Sequence, residues 1–124
     1  MEKAIRREFL LAFWKVHILH HAAEQPVVGQ WMLQELRSHG YELSPGTLYP
    51  LLHRMEDHGW LRCDRDSSPG KRSRKCYFLT EEGRGVLEIL RGPLTELYRE
   101  VCAEVAPTGT RHGSISPPER KKGK

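Results

Sequence analysis

Apolar residues recur every three or four positions between Ile5 and His21, and this spacing predicts an amphipathic helix. Trp14 and Ile18, together with two leucines, widen the apolar surface nearly all the way round that helix. A helix of this kind needs burial on more than one side. We therefore expect it to pack within its own domain and also against a second copy of the chain.

Two more helices are predicted after a short connection over Ala23–Val28. The second, roughly Gly29 to Ser38, carries apolar residues that face inward, and it ends at Gly40. The third begins at Ser44, whose hydroxyl is expected to cap the helix, and a proline follows at the first helical position. Two helices joined by a short turn are typical of a helix-turn-helix.

The third helix is predicted to have an apolar stripe and a separate polar face. Its stripe consists of Leu48, Leu51, Leu52 and Met55. Pro50 lies inside the helix and predicts a modest bend. Gly59 is suited to end the helix, because it can adopt a left-handed conformation without a Cβ penalty. The polar face is left for hydrogen bonding.

Two short segments of alternating residues, Trp60–Arg65 and Lys75–Leu79, predict a two-stranded hairpin. Between them, Asp66–Gly70 is a dense cluster of turn residues. The tip and the returning arm carry the cations Lys71, Arg72, Arg74 and Lys75. Cations this close together repel each other unless an anion neutralises them, and a phosphate backbone would do so with release of counterions.

Thr80 is expected to cap a last helix, whose positively polarised first turn suits Glu81 and Glu82. Apolar residues then recur at heptad spacing and leave a seam that needs a partner. Gly92 and Pro93 interrupt the seam and predict a kink or a break. The candidate dimer-interface residues of the first and last helices are Phe9, Phe13, Val16, Leu87, Leu90, Leu94, Leu97 and Val101.

Positive charge is concentrated in two places, although the net charge of the chain is only +4. Between Trp60 and Cys76, six arginines and lysines face two aspartates, and between Pro107 and Lys124 five face one glutamate. Localised basic patches favour a polyanionic partner, most often a nucleic acid. A solvated, solubilising surface is the alternative. The composition of residues 107–124 predicts a disordered basic tail.

The run SPGTLYPLLHRMEDHGWL, from Ser44 to Leu61, closely resembles the recognition-helix region of PadR-type transcriptional regulators. The resemblance continues at YFLTEEGR, Tyr77–Arg84, and covers roughly residues 40 to 90. It implies a winged helix-turn-helix protein that binds DNA and usually dimerises through its terminal helices. It also implies that small aromatic or hydrophobic effectors bind near the dimer interface and lower DNA affinity.

Within a DNA-binding interpretation, the polar face of the third helix meets the major groove and the basic hairpin grips backbone or a minor groove. The candidate DNA-binding residues are Ser44, Thr47, Tyr49, His53, Arg54, Lys71, Arg72, Arg74 and Lys75. Arg54 is the best candidate for a base contact, because a guanidinium can pair bidentately with guanine. The alternatives are that Tyr49 packs on the base of the hairpin and that His53 is a solvated surface histidine.

Other site chemistry is less well supported. Trp14 and Tyr98 are candidates for an effector pocket, although the simpler interpretation is that both are ordinary aromatic residues of a dimer core. Cys63 and Cys76 are about equally distant from the hairpin turn, so we expect them to lie near each other across the hairpin. A redox or metal switch is one interpretation of such a pair, but two small buried thiols are the simpler one. Cys102 has no obvious partner.

Three histidines, His17, His20 and His21, form an i, i+3, i+4 cluster on the first helix. Two of them could hold a metal, but no cysteine or carboxylate is expected beside them, and three ligands on one helix cannot close a tetrahedral site. We therefore predict no metal and no cofactor. The chain has no glycine-rich phosphate loop and no recognisable nucleophile with its base, so an enzyme is not expected.

The predicted fold is mainly α with a two-stranded β-hairpin: a winged helix-turn-helix over residues 1–79, followed by a dimerisation helix over 80–106. Three cysteines, without a signal peptide or a long apolar segment, predict a cytoplasmic protein that does not associate with membranes. The predicted function is that of a homodimeric regulator, a repressor, that binds a pseudo-palindromic operator on double-stranded DNA. A winged helix that binds another protein is the alternative.

Overall fold

Helices form most of the structure, a computed structural model that describes residues 2–65 and 75–103. The helices are α1 (Glu2–Glu24), α2 (Gly29–Ser38), α3 (Pro45–Asp57) and α4 (Glu81–Tyr98), with a π-helical turn at Arg99–Ala103. The strands are β1 (Val27–Val28), β2 (Leu61–Arg65) and β3 (Lys75–Leu79). The predicted turn at Asp66–Gly70, the cations Lys71, Arg72 and Arg74, and the tail over 107–124 lie outside the described residues.

The predicted hairpin is confirmed as β2 and β3, and a short strand that the sequence did not predict, β1, extends it to three antiparallel strands in the order β1-β3-β2. The third strand, β1, lies within the segment expected to be only a connection. Val27 pairs with Tyr77, and Val28 pairs with Cys76. β1 pairs with the edge of β3 that the hairpin leaves unpaired, and Val27 is buried there.

Pairing between β2 and β3 places Cys63 opposite Tyr77, and Cys76 opposite Asp64. Residues that pair directly lie on the same face of a sheet, and neighbours in a strand lie on opposite faces. Cys63 and Cys76 therefore lie on opposite faces of the sheet. This register corrects the expectation that they lie near each other across the hairpin.

The chain divides into two units, and the boundary lies inside α4 between Leu87 and Glu88. The core of the first unit is apolar throughout its described part. Its most deeply buried side chains are Ile18, Leu19, Met32, Leu36, Leu48, Leu51, Leu52, Met55, Leu61 and Tyr77. Burial raises the pKa of the Tyr77 phenol to about 12, and a hydrogen bond with Cys63 adds to this shift. No helix among the described residues is sufficiently long and apolar to cross a lipid bilayer.

Thr80 caps α4 as predicted. Its Oγ1 accepts a hydrogen bond from the Gly83 N–H at 2.9 Å and donates one to the Gly59 carbonyl at 2.6 Å. One side chain therefore joins the end of the helix-turn-helix to the start of α4. The helix then continues through Pro93 to Tyr98, so the break expected at Gly92-Pro93 does not occur.

Gly83 allows α4 to lie against the end of the helix-turn-helix, and its replacement by alanine is expected to destabilise the protein. An added Cβ would clash with the Trp60 carbonyl oxygen and with Leu79. We expect Gly83→Ala to lower the free energy of unfolding by about 1–3 kcal/mol, as overpacking does. Thermal and urea unfolding followed by circular dichroism measures the change.

Gly85 provides the matched control, because it lies in the same helix and an added Cβ would meet no atom within 4 Å. Gly85→Ala is expected to stabilise by roughly 0.4–1 kcal/mol, through helix propensity and a less flexible unfolded chain. Equal effects of the two substitutions would contradict the close approach at Gly83.

Candidate nucleic-acid interface

The turn between α2 and α3 is built by a glycine that ends the first of the two helices. Gly40 has a φ of 95°, and its N–H donates to the Arg37 carbonyl, while the Tyr41 N–H donates to the Leu36 carbonyl. These two bonds form a Schellman motif, which satisfies carbonyls at the helix end. The Arg37 side chain also donates from Nε to the Leu43 carbonyl at 3.1 Å. The turn therefore holds α3 in a fixed direction relative to α2.

Helix α3 ends in the same way, and Gly59 occupies the left-handed position that the sequence predicts. Its φ is 85°, and its N–H donates to the Glu56 carbonyl, while the Trp60 N–H donates to the Met55 carbonyl. Both ends of α3 are thus fixed, the first by the turn after α2 and the second by the entry into β2. Pro50 lies inside the helix, which continues through it.

Helix α3 buries one face and exposes the other, as predicted. The four residues of the apolar stripe are each at most 1% exposed. Gly46, Pro50 and His53 follow one another along the opposite face at four- and three-residue spacing, and all three are exposed. Thr47 and Arg54 are seven residues apart and therefore lie in line along one side of this face. Small residues near the helix start leave room for close approach of a ligand to the backbone.

Arg54 is a cation on this face whose side chain is available to a ligand. Its side chain is exposed, and no ion pair or side-chain hydrogen bond holds it among residues 2–65 and 75–103. His53, by contrast, lies 3.7 Å from the Asp57 carboxylate on the next turn, with 62% of its side chain exposed. Exposed pairs of this kind contribute little stability, so the His53 side chain remains accessible to a ligand.

Tyr49 contacts Gly29, the first residue of α2, whereas the packing alternative placed it on the base of the hairpin. A Cβ added at Gly29 would lie 2.5 Å from Cε1 of the Tyr49 ring, so the ring rests directly on the glycine. The residue is still 38% exposed. Tyr49 therefore joins α3 to the start of α2, and only part of its ring remains for contact with a ligand.

Ser44 precedes α3 with an extended backbone (φ −108°, ψ 167°), but its hydroxyl makes no capping hydrogen bond. The predicted side-chain cap is therefore wrong. The Ser44 carbonyl accepts from the N–H groups of Thr47 and Leu48. Because Pro45 has no N–H, the N–H of Gly46 and the Ser44 hydroxyl remain as donors at the positively polarised helix end, which suits a phosphate.

We call the hairpin over residues 61–79 the wing. Of the four cations predicted on it, only Lys75 is among the described residues, where it begins β3 and pairs with Arg65. Arg62, on the neighbouring strand, is already engaged. Its guanidinium lies 4.4 Å from the Phe78 ring centroid and 3.1 Å from the Asp64 carboxylate. Arg62 therefore has a structural role on this face of the sheet, whereas Lys75 is half-buried.

The predicted dimer residues differ in how exposed they are. Phe9 and Phe13 on α1 are 65% and 49% exposed, and Val16 is half-buried. On α4, Leu87 is buried within its own unit and Leu90 is half-buried. The remaining predicted residues are all exposed: Leu94 and Leu97 on α4, and Val101 in the π-helical turn that follows it.

The two candidate pocket residues have different surroundings. Trp14 is only 4% exposed and packs edge-to-face against Tyr41, with their ring centroids 5.9 Å apart. Its indole Nε1 is buried, without a hydrogen-bond partner in the described part of the chain. Tyr98, at the end of α4, is 62% exposed.

A helix-turn-helix followed by an antiparallel hairpin, with an exposed polar face on its second helix, defines the winged helix-turn-helix class of proteins. Residues 18–89 match the model of the transcriptional regulator PadR-like family. The chain is also 50% identical over 95 residues to the transcriptional regulator Rv3488 of Mycobacterium tuberculosis, a match that covers 77% of this chain and 88% of the relative.

Solved structures agree with this assignment. A PadR family transcriptional regulator from Eggerthella lenta is 31% identical, with a TM-score of 0.65, over 82% of this chain and 85% of that one. A PadR-like transcription factor from Bacteroides fragilis has the same fold, with a TM-score of 0.70 at 24% identity over 82% of this chain and 99% of that one. The chain belongs to the PadR-like family of transcriptional regulators.

Proposed function

We propose that this protein binds double-stranded DNA sequence-specifically, as a homodimer, and acts as a repressor. The observation that carries the proposal is the exposed face of α3, where Arg54 has no partner among the described side chains. A helix about 10–12 Å wide fits the major groove, and Arg54, in the last turn of α3, has a side chain long enough to reach a base edge from the exposed face. Arg54 is the residue we expect to pair with a guanine.

Donors at the start of α3 would position the helix on the duplex. The Ser44 hydroxyl and the Gly46 N–H can each donate to a phosphate oxygen, and Thr47 lies in line with Arg54. These contacts fix register and orientation, whereas Arg54 supplies sequence discrimination. His53 and the exposed part of Tyr49 complete the surface that faces the groove.

Dimerisation is supported by apolar side chains that each unit leaves uncovered. Ile5, Phe9 and Phe13 recur every four residues along α1 and are about half or more exposed. Leu94 and Leu97 on α4 and Val101 in the π-helical turn after it are a second group of exposed apolar side chains. Burial of such side chains against a second copy is favourable by about 25 cal/mol per Å² of apolar surface. A twofold dimer would bind a pseudo-palindrome with half-sites about 10 bp apart.

A small aromatic or hydrophobic effector that releases the protein from DNA completes the proposal. Trp14 supports an aromatic site, because its buried indole N–H has no acceptor among the described residues and a bound ligand could supply one. Tyr98 is the second candidate contact. Repression follows where a bound dimer covers promoter DNA, and release of the dimer by an effector would lift it.

The wing gives the test of DNA binding a quantitative readout. Fluorescence anisotropy on the DNA upstream of the gene and on a scrambled duplex, across a salt series, measures affinity and salt slope. We expect tighter binding to the upstream DNA. In Lys71→Ala/Arg72→Ala/Arg74→Ala the slope of log K against log salt should flatten by about 0.9 for each lost phosphate contact.

The matched control removes three cations from the predicted tail, as Lys121→Ala/Lys122→Ala/Lys124→Ala. Its slope should change less than that of the wing variant, if the wing rather than overall charge grips the backbone. Equal and weak binding to both duplexes, with slopes unaffected by the wing substitutions, would contradict the proposal and favour a protein partner.

A further inference from the structure

Three histidines from two helices converge on one point of the first unit. His17 and His21 lie one turn apart on α1, and His39 is the residue that ends α2. One ring nitrogen from each of the three lies within 4.8 Å of the other two. The ring centroids of His17 and His39 are 5.1 Å apart. Ligands from a single helix cannot surround an ion, but here His39 adds a ligand that does not belong to α1.

A carboxylate from α2 approaches the same cluster. Oε2 of Glu35 lies 3.2 Å from Nε2 of His39 and 3.5 Å from Nε2 of His21. In a tetrahedral zinc site with bonds of about 2.0–2.1 Å, neighbouring ligand atoms are about 3.3 Å apart. The Glu35 oxygen already has this separation from two of the three imidazoles, so it is suited to be the fourth ligand.

The cluster also has an unsatisfied polar atom. Nε2 of His21 is buried and has no hydrogen-bond partner in the described part of the chain, although the Glu35 oxygen lies opposite. A buried polar atom without a partner is costly, and coordination to an ion would satisfy it. On the other side of the cluster, the Tyr41 hydroxyl lies 3.2 Å from Nε2 of His17 and holds that ring in place.

The electrostatic environment keeps the rings suited to coordination. Burial lowers the pKa of His17 and of His21 below the ordinary value of 6.5. The neighbouring histidines lower it further, while Glu35 acts in the opposite direction without reversing the shift. Metal ions bind the neutral imidazole, so little proton release is needed at neutral pH. A divalent cation would in turn balance the negative charge of Glu35.

We propose that His17, His21 and His39 bind one divalent transition-metal ion of the zinc class, with Glu35 as the fourth ligand. Imidazole nitrogens with one carboxylate oxygen are ligands that suit Zn²⁺, Ni²⁺ or Co²⁺ rather than Mg²⁺ or Ca²⁺. The site joins α1 to the end of α2.

The position of His39 gives the site a consequence for the helix-turn-helix. His39 is followed directly by Gly40, which starts the turn into α3. An ion bound to His39 therefore ties this turn to α1, and amide hydrogen exchange over residues 39–43 should slow when the ion binds. This consequence concerns the described turn alone and holds whether or not α3 reads DNA.

A second set of possible ligands, His20, His21 and Glu24, also lies within 4.8 Å. All three belong to the end of α1, and the side chains of His20 and Glu24 are 55% and 60% exposed. One helix presents them from one side only, so they cannot surround an ion. His20 thereby becomes the matched control: it is adjacent to His21 but is not a member of the proposed site.

The test titrates untagged, chelator-treated protein with Zn²⁺ by calorimetry and with Co²⁺ by visible absorption. We expect one ion per chain, with the intense visible bands of four-coordinate Co²⁺ and without the near-ultraviolet thiolate band that cysteine ligands would give. His39→Gln should weaken Zn²⁺ binding by more than about 100-fold, beyond the 10–100-fold typical of an outer partner. His20→Gln should bind as tightly as the parent.

Glu35→Gln supplies a second variant, a nearly isosteric one at a half-buried helix position, which tests the carboxylate without a change in side-chain size. It should weaken binding and change the Co²⁺ spectrum while leaving unfolding without metal unchanged. Undiminished affinity in His39→Gln, or loss of affinity in His20→Gln, would overturn the proposal, as would a thiolate band. Because none of these measurements uses DNA, their failure is separate from any failure of the proposed function.

Discussion

Arg54→Ala is expected to remove the specific part of DNA binding while leaving the fold intact. A bidentate arginine–guanine pair contributes about 1–3 kcal/mol of discrimination, or roughly 5- to 150-fold in affinity per half-site. A dimer loses the contact twice, so the loss on a full operator should exceed that on one half-site. Anisotropy with an operator duplex and with a duplex changed at the contacted guanine measures it.

The variant should bind both duplexes equally, because the side chain that distinguishes them is gone. Arg54→Lys tests the geometry, since it keeps the charge but cannot form the bidentate pair. Arg91→Ala is the charge-matched control, because Arg91 is also exposed and pairs only with Glu88 on its own helix among the described residues. Undiminished discrimination in Arg54→Ala would mean that another residue reads the base.

Leu97→Asp is expected to convert the dimer into monomers and thereby to abolish operator binding. The side chain is 52% exposed and belongs to the predicted seam of α4 that we propose to be covered by a second copy. A carboxylate buried at such an interface without a partner is strongly unfavourable. Loss of the second DNA-binding unit should lower operator affinity by at least about 100-fold, since bivalent attachment commonly raises affinity by a factor of about 10²–10⁴.

Ile89→Asp is the control, because Ile89 is 71% exposed on the same helix but lies off the seam. Sedimentation equilibrium should show a dimer for the parent and for Ile89→Asp, and a monomer for Leu97→Asp. Circular dichroism checks that all three fold. A Leu97→Asp dimer would place the interface elsewhere, and the half-site spacing would then have to be reconsidered.

The helix-turn-helix could be predicted from the sequence because its signals are local. The apolar stripe of α3 and the glycine at its end each act within a few residues, and α2 has the predicted bounds. Ser44 shows the limit of this reasoning. A serine before a helix makes a cap possible, but its rotamer decides whether the hydrogen bond forms, and here it does not.

Pairing over long sequence distances accounts for most of what could not be predicted. β1 has only two residues, too few to show alternation, and it becomes a strand because Val27 pairs with Tyr77. The offset of Cys63 and Cys76 follows from a register in which each pairs with another residue, and equal distance from a turn does not determine register.

The histidine cluster shows the same limit in the site. His17 and His21 are recognisable as a pair from their spacing, but His39 stands alone in the sequence and is brought beside them only by the packing of α2 against α1. Glu35, the carboxylate of the proposed site, is likewise on α2 and is distant in sequence from the pair on α1.

Selection of binding sites from random duplex DNA tests sequence-specific binding most directly, because the operator sequence does not have to be known before the experiment. We expect enrichment of an inverted repeat whose half-sites each contain a guanine and lie about 10 bp apart. Arg54→Ala should enrich sequences in which that guanine is no longer required. A parent protein that enriches no sequence after repeated rounds at physiological salt would contradict sequence-specific DNA binding by this chain.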